Sequence, residues 1–376
     1  MGKRKILVDI YYLHVAQTGI KTYIECLCEE IENHASEDFE FILSPSRQSI
    51  RDSTFFKGKT AFWKNLLYQG VYFFRKLAIL PWLSFRYQAD LVFSPDILSP
   101  ICANGKKVSV IHDAFFWESP SHYHPVWLKV YLTFLNAGLK RNAHVLTVSE
   151  HSKRQLQKYL DLPDLKIDVV YPSSTLTRKA AATETLPLVS NPYFLHVGVM
   201  EKRKNLSMLV SAFAGFVKQQ DCEDYRLVLV GQPGPRKPLD DYDNVRSIIE
   251  QHKLQERVVL TGYVSKEALE NYYQHAMAYV FPSMNEGFGM PVLEAFSYGV
   301  PVIIADQGTL VEVGEDAVLK VSENTVAGFE DALLLIARDE QLRKDMVDRG
   351  YRRLGQFSAT DFFLSLQACF RSILNE

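Results

Sequence analysis

The chain has 376 residues, more than one ordinary hydrophobic core serves, so two domains are expected. Its 47% hydrophobic and 23% charged residues mark a globular protein, and a formal net charge of −2 excludes a bulk electrostatic pull toward nucleic acid. Cys26, Cys28, Cys102, Cys222 and Cys369 are scattered, odd in number and show no metal-ligand spacing beyond one C-x-C, which best fits a reduced, cytoplasmic chain. The apolar run after Met-Gly-Lys-Arg-Lys is too brief for a signal peptide, and no stretch reaches the roughly 18 to 20 apolar residues of a membrane span.

In chain order, short apolar runs at Lys5–Ile10, Phe39–Leu43, Asp90–Phe93, Lys107–Ile111, His144–Val148 and Ile167–Tyr171 predict buried parallel strands. Helical patterns lie between them at Ile20–Asn33, Ala61–Phe85, Pro125–Leu139 and Glu150–Tyr159, the last opened by Ser149 as N-cap. From Ser173 to Asn191 the periodicity is lost, and this stretch predicts an interdomain linker. A second series comes next, with strands at Tyr193–Val199, Tyr225–Gly231, Val258–Val264, Ala278–Pro282 and Val300–Ala305. Helices fill its gaps, including Leu206–Val217 and Lys266–His275. After Val321 the pattern is helical, through Ala327–Ala337, Glu340–Leu354 and Ala359–Leu374. Two βαβ series imply two doubly wound α/β sheets with ligands at the carboxyl ends of the strands.

The most informative stretch runs Phe281-Pro-Ser-Met-Asn-Glu-Gly-Phe-Gly-Met-Pro-Val-Leu-Glu-Ala-Phe and joins a strand end, a glycine loop and a helix start. Gly287 and Gly289 let backbone approach a ligand, and Pro291 suits the first turn of a helix whose free N–H groups favour phosphate. Glu286 precedes that helix and Glu294 is expected in its first turn, where carboxylates can accept hydrogen bonds from sugar hydroxyls. The plainer reading is that both acids only offset a helix dipole. The full string resembles the E-x7-E signature of the retaining nucleotide-sugar glycosyltransferases of family 4, the glycosyl transferases group 1. The similarity continues through Glu294-Ala-Phe-Ser-Tyr-Gly-Val-Pro-Val-Ile.

A second constellation is Phe194-Leu-His-Val-Gly-Val-Met-Glu-Lys-Arg-Lys-Asn-Leu. Here Lys202, Arg203 and Lys204 precede a helix, where the dipole disfavours cations. A bound anion would remove that conflict; a solvated charge run is the alternative. The resemblance implies that Lys204 and the backbone at Gly198 serve the donor diphosphate. Val199 stands where the family often has arginine, and Arg203 is the candidate to compensate. Lys107-Lys-Val-Ser-Val-Ile-His-Asp places His112 and Asp113 at a strand end; a lone histidine is usually structural, but the resemblance implies that His112 lies beside the donor sugar across a cleft. By the same resemblance Gly19, in Gln17-Thr-Gly-Ile-Lys-Thr-Tyr, admits the diphosphate. Gly262, Tyr263 and Val264 form the loop whose backbone meets the nucleobase, and Gly231 lies on the cleft side of its strand. The remaining donor-binding candidates are Gly287, Phe288, Gly289, Met290 and Glu294.

Asp241-Tyr-Asp243 spells D-x-D, but helix-start acids explain it better than a metal grip. No metal and no cofactor is expected. The region Arg51 to Arg86 interleaves Phe, Tyr and Trp with Lys57, Lys59, Lys64, Arg75, Lys76 and Arg86, and Asp52 is its only acid. Such a segment can lie on an anionic membrane, or be a half-buried helix with cations snorkelling around its edge.

The resemblance implies the GT-B fold, two Rossmann-like domains facing a central cleft. It assigns residues 1–175 to the acceptor side, 176–356 to the nucleotide-sugar donor, and 357–376 to a C-terminal helix able to pack back on the first domain. It implies transfer of a hexosyl group, with retention, from a donor of GDP-mannose or UDP-sugar type to a glycan or lipid-linked glycan of a surface polysaccharide. Glu286, Lys204, His112 and Arg203 would carry catalysis. The expected setting is cytoplasmic, peripheral at the inner membrane face if 51–86 docks there. The alternatives are a GT-B nucleotide-sugar epimerase or phosphorylase, or a non-catalytic two-lobed binding protein.

Overall fold

The computed structural model describes residues 2–16, 18–53, 62–160, 162, 165–173, 186–234 and 237–375. Lys57, Lys59 and the middle of the expected linker lie outside the described residues. The chain folds as two compact units, Met1–Thr175 together with Ala359–Glu376, and Leu176–Ser358.

The first unit is built on strands β1 (Arg4–Asp9), β2 (Phe39–Ser44), β3 (Leu91–Ser94), β4 (Lys106–Val110), β5 (Ala143–Thr147) and β6 (Lys166–Val169). They form one parallel sheet in the order β2-β1-β3-β4-β5-β6. Its helices are α1 (Thr18–Asn33), α2 (Arg47–Asp52), α3 (Phe62–Phe74), α4 (Leu80–Tyr87), α5 (Phe115–Glu118), α6 (Pro125–Gly138) and α7 (Glu150–Tyr159). Ser149 caps α7, its side chain accepting from the Ser152 N–H.

The second unit has β7 (Tyr193–Val197), β8 (Arg226–Val230), β9 (Val258–Gly262), β10 (Ala278–Phe281), β11 (Val302–Ala305) and β12 (Val318–Val321). These are also all parallel, in the order β12-β11-β10-β7-β8-β9. Around them pack α8 (Leu206–Phe216), α9 (Tyr242–Gln251), α10 (Lys266–Gln274), α11 (Met290–Ser297), α12 (Gly308–Gly314), α13 (Val326–Arg338) and α14 (Glu340–Leu354). The C-terminal α15 (Ala359–Asn375) packs in the first unit: Phe362 meets Tyr23, Phe363 meets Phe41, and Phe370 meets Phe39 and Phe93.

The strand order reverses once in each sheet, between β1 and β3 and between β7 and β10. Open α/β sheets bind ligands at such points, outside the carboxyl ends of the strands. Strand β12 escaped sequence reading because it is a four-residue edge strand, half-exposed and carrying Lys320, with too few apolar residues to stand out. The short helices α2, α5 and α12 were missed because fewer than two turns leave too few positions to show a period.

The helix expected over 61–85 is interrupted. Pro81 has no N–H for the carbonyl four residues earlier, and the helix widens into a π turn at Arg75–Ile79 just before it. Arg75 and Lys76 therefore point inward, which corrects their reading as surface or snorkelling cations. Lys76 is fully buried, 2.8 Å from both Asp9 and Asp96, and Arg75 lies 2.8 Å from Asp9 and from Ser44 Oγ.

Candidate active site

The loops after β7 and β10, on either side of the second sheet's reversal point, meet through charge. Lys202–Lys204 forms a 3₁₀ turn, and Asn205 takes a left-handed backbone that starts α8. From this turn Lys204 Nζ reaches Glu286 Oε1 at 2.6 Å, and Arg203 Nη1 reaches Glu286 Oε2 at 2.9 Å. Arg203 also bonds Glu201 through Nε and donates to the Asn285 carbonyl. The dipole conflict is thus relieved for Arg203 and Lys204 by the chain's own carboxylates.

Glu286 is buried, and burial alone would raise its pKa. Arg203 and Lys204 overcome that, with Ser283 Oγ donating at 2.6 Å, and hold it at about 2. Burial pushes Lys204 down from its usual value while Glu286 opposes the shift. The ammonium also lies 4.6 Å over the Phe281 ring, a cation–π contact that helps offset its desolvation.

Helix α11 starts where expected. Gly289, its N-cap, has φ +106°, and a Cβ there would stand 2.8 Å from Leu310, so only glycine fits. Glu294 is the fifth helical residue, which corrects its placement in the first turn; one turn farther along, it is clear of the N–H groups there. Burial raises its pKa, and Tyr273 Oη donates to it at 2.8 Å. Phe288 turns its ring onto Phe357, and the Met290 side chain is buried, so neither side chain is exposed for binding.

The glycines at the ends of β7, β8 and β9 form a row. Gly198 N–H donates to Val230, and Gly231 N–H donates to Gly262. A Cβ on Gly231 would fall 1.8 Å from the Gly198 carbonyl, so this row closes only with glycine. Gly262 has φ +69° with open space beside it, Tyr263 is largely exposed, and Val264 is partly exposed.

In the first unit His112 follows β4. Burial lowers its pKa to about 4, and Nε2 donates to the Pro95 carbonyl at 3.1 Å, so the ring is neutral. Asp113 accepts from the Phe115 N–H and opens α5. Gly19 lies in the first turn of α1 with open space at its Cα. In the D-x-D stretch, Asp243 is in the first turn of α9, and Asp241, buried, accepts from Ser207 and Asn244.

Sequence reasoning missed Ser283, Thr309 and Tyr273. Thr309 Oγ1 donates to the Glu286 carbonyl at 3.0 Å and fixes that loop from α12. Ser283 stood inside the quoted motif; Tyr273 and Thr309 come from separate helices and gave no local signal.

Comparison with known proteins identifies a family. The model described as glycosyl transferases group 1 matches residues 180–353. An O-antigen chain mannosyltransferase B of Escherichia coli is 30% identical over 263 residues, which cover 67% of each chain. The chain belongs to the group 1 glycosyltransferases. A second relative, the O-antigen chain mannosyltransferase RfbU of Salmonella typhimurium, is 30% identical over 208 residues and is matched over 54% of its length. In fold, this glycosyltransferase is similar to a sucrose-phosphate synthase from Thermosynechococcus elongatus, with a TM-score of 0.71, 18% identity, and coverage of 99% of this chain and all of that one. The fold is GT-B, and the family uses nucleotide-sugar donors.

Proposed function

We propose that this glycosyltransferase moves a hexosyl group, mannose foremost, from a GDP-mannose or UDP-sugar type of donor to a hydroxyl of a growing surface glycan, free or lipid-linked. The anomeric configuration is retained. The observation that carries the reading is the Glu286 carboxylate held between Arg203 and Lys204 at the entrance to α11. The names of the two relatives favour mannose.

The chemistry rests on charge. As the anomeric bond breaks, negative charge grows on the departing diphosphate, and donors already in place stabilise it without reorganisation. Arg203, Lys204 and the first N–H groups of α11 are such donors. A diphosphate competing for both cations releases Glu286 to accept hydrogen bonds from sugar hydroxyls. Glu294, bonded to Tyr273 through one oxygen, offers the other to the ribose. The glycine row allows the nucleotide to approach the strand ends. In this reading no side chain is assigned as nucleophile, and the transfer is a same-face one in which a donor phosphate oxygen takes the acceptor proton. His112 enters the proposal as a neutral contributor, tested by loss of transfer in His112→Ala.

The test is a panel of GDP-, UDP- and dTDP-sugars, read by thermal stabilisation and slow donor hydrolysis, followed by NMR of the product's anomeric proton. Binding to none of them overturns the reading, and an inverted product overturns the mechanism. We propose that the cations neutralise the diphosphate, so EDTA should leave turnover largely intact; strict dependence on Mg²⁺ or Mn²⁺ would bring Asp241 and Asp243 back.

A further inference from the structure

The helix that runs through α3, the π turn and α4 carries an apolar stripe that is about half exposed. Trp63, Leu66, Leu67, Phe74, Leu77, Trp82 and Phe85 are each between 46 and 64% exposed. Single exposed apolar residues are ordinary, but an aligned row is not.

The alignment depends on the π turn. At 3.6 residues per turn, positions 63, 66, 67, 70, 74 and 77 share one face, but Trp82 would fall about 100° off it. One extra residue in a turn rotates the rest of the helix back by about the same angle, so Trp82 returns to the line while Phe85 stays within the spread of the row, level with Leu66. The same turn delivers Arg75 and Lys76 to Asp9 and Asp96, which fixes the helix in rotation with the stripe outward. Where Gly70 interrupts the row, a shallow groove of about 500 Å³ opens between Trp63 and Phe74.

We propose that this face docks on an anionic lipid bilayer, lying in the plane of the interface. The inference deepens the proposed glycan transfer, on which it rests for its purpose, by naming the surface that meets a lipid-linked acceptor. Charge selects the partner. No acid occurs from Ser53 to Ala89, and among the described residues the cations outside the buried pair, Lys64 beside the Trp63 ring and exposed Arg86, border the apolar row. Aromatic rings flanked by Lys and Arg suit the headgroup level, where anionic lipid attracts cations. A second copy of the chain would set this cationic border against itself. No described helix is long and apolar enough to cross a membrane, so contact through this face would be peripheral.

The full chain would be floated with phosphatidylcholine vesicles, with and without phosphatidylglycerol. Flotation should need the anionic lipid, weaken with salt, and fall by about ten-fold or more in Trp82→Glu/Phe85→Glu. Trp82→Ser/Phe85→Ser, a milder pair, should show the same direction. Quenching of tryptophan fluorescence by brominated lipid should fall in Trp82→Phe. Absence of flotation at low salt, or unchanged flotation of both double variants, overturns the proposal, as does a dimer that the same substitutions dissolve. Donor-induced thermal stabilisation, measured on the same samples, separates the two readings. A protein that binds donors but does not float loses only the docking surface, and one that floats without donor affinity loses only the transfer.

Discussion

Each sheet carries an ionic cluster at the point where its strand order reverses, and the two clusters are built in opposite ways. In the first unit Asp9 ends β1 and Asp96 follows β3, and Arg75 and Lys76 enter between them. All four are buried, and Tyr72, Ser44 and Ser94 complete the set. In the second unit Lys204 follows β7 and Glu286 follows β10, but Arg203 keeps 31% of its side chain exposed, and glycines line the neighbouring strand ends. A sealed cluster cannot change partners, because exposing one charge strands another in a medium of low dielectric. We propose that the second cluster, open to solvent at Arg203, trades its internal carboxylate for a ligand's phosphate. On that proposal the same topological position is a plug in one unit and a donor site in the other.

The largest expected effect tests the plug. Lys76→Met leaves two buried carboxylates without their shared cation and should lower the unfolding free energy by about 3–5 kcal/mol, measured by urea denaturation. Donor affinity of the protein that remains folded should not move; a stable variant with altered donor binding would erase the contrast. Glu286→Gln and Lys204→Ala should each lower transfer by on the order of 100-fold, about 3 kcal/mol of activation free energy. Unchanged turnover in both would remove the site assignment while leaving the fold intact.

Acid should act on the open cluster in a predictable direction. The Glu286 pKa is about 2 in the fold against an ordinary 4.5, so the folded state binds fewer protons between those values. Its contribution to stability is complete above pH 4.5 and is lost as the pH falls toward 2. Thermal unfolding followed down that range should show a loss that Glu286→Gln reduces; an identical profile in the variant would show that the ion pair adds nothing. The smallest effect belongs to Tyr273→Phe, which removes one hydrogen bond to Glu294 and should weaken donor affinity by about 1 kcal/mol in calorimetry.

Much of this was legible in the sequence because the relevant signals are local. The helix start at Pro291, the glycines of the E-x7-E stretch and the cations before α8 are each fixed by a few adjacent residues, and each lies at a strand end as read. What was not legible depended on distance. Arg75 and Lys76 have the same local pattern as Lys64 and Arg86, and nothing adjacent says that their partners are Asp9 and Asp96. Tyr273 and Thr309 reach the Glu286–Glu294 segment only because α10 and α12 pack beside it.

The sequence by itself determined two βαβ series, the strand-end loops and the residue types that suit an anionic sugar donor, because periodicity and turn chemistry act over a few residues. Tertiary structure alone decided which charges meet. Whether a cation is sealed against two aspartates or left beside a glycine row depends on strand order, on one π turn and on the burial they create, and electrostatic energy depends on all three.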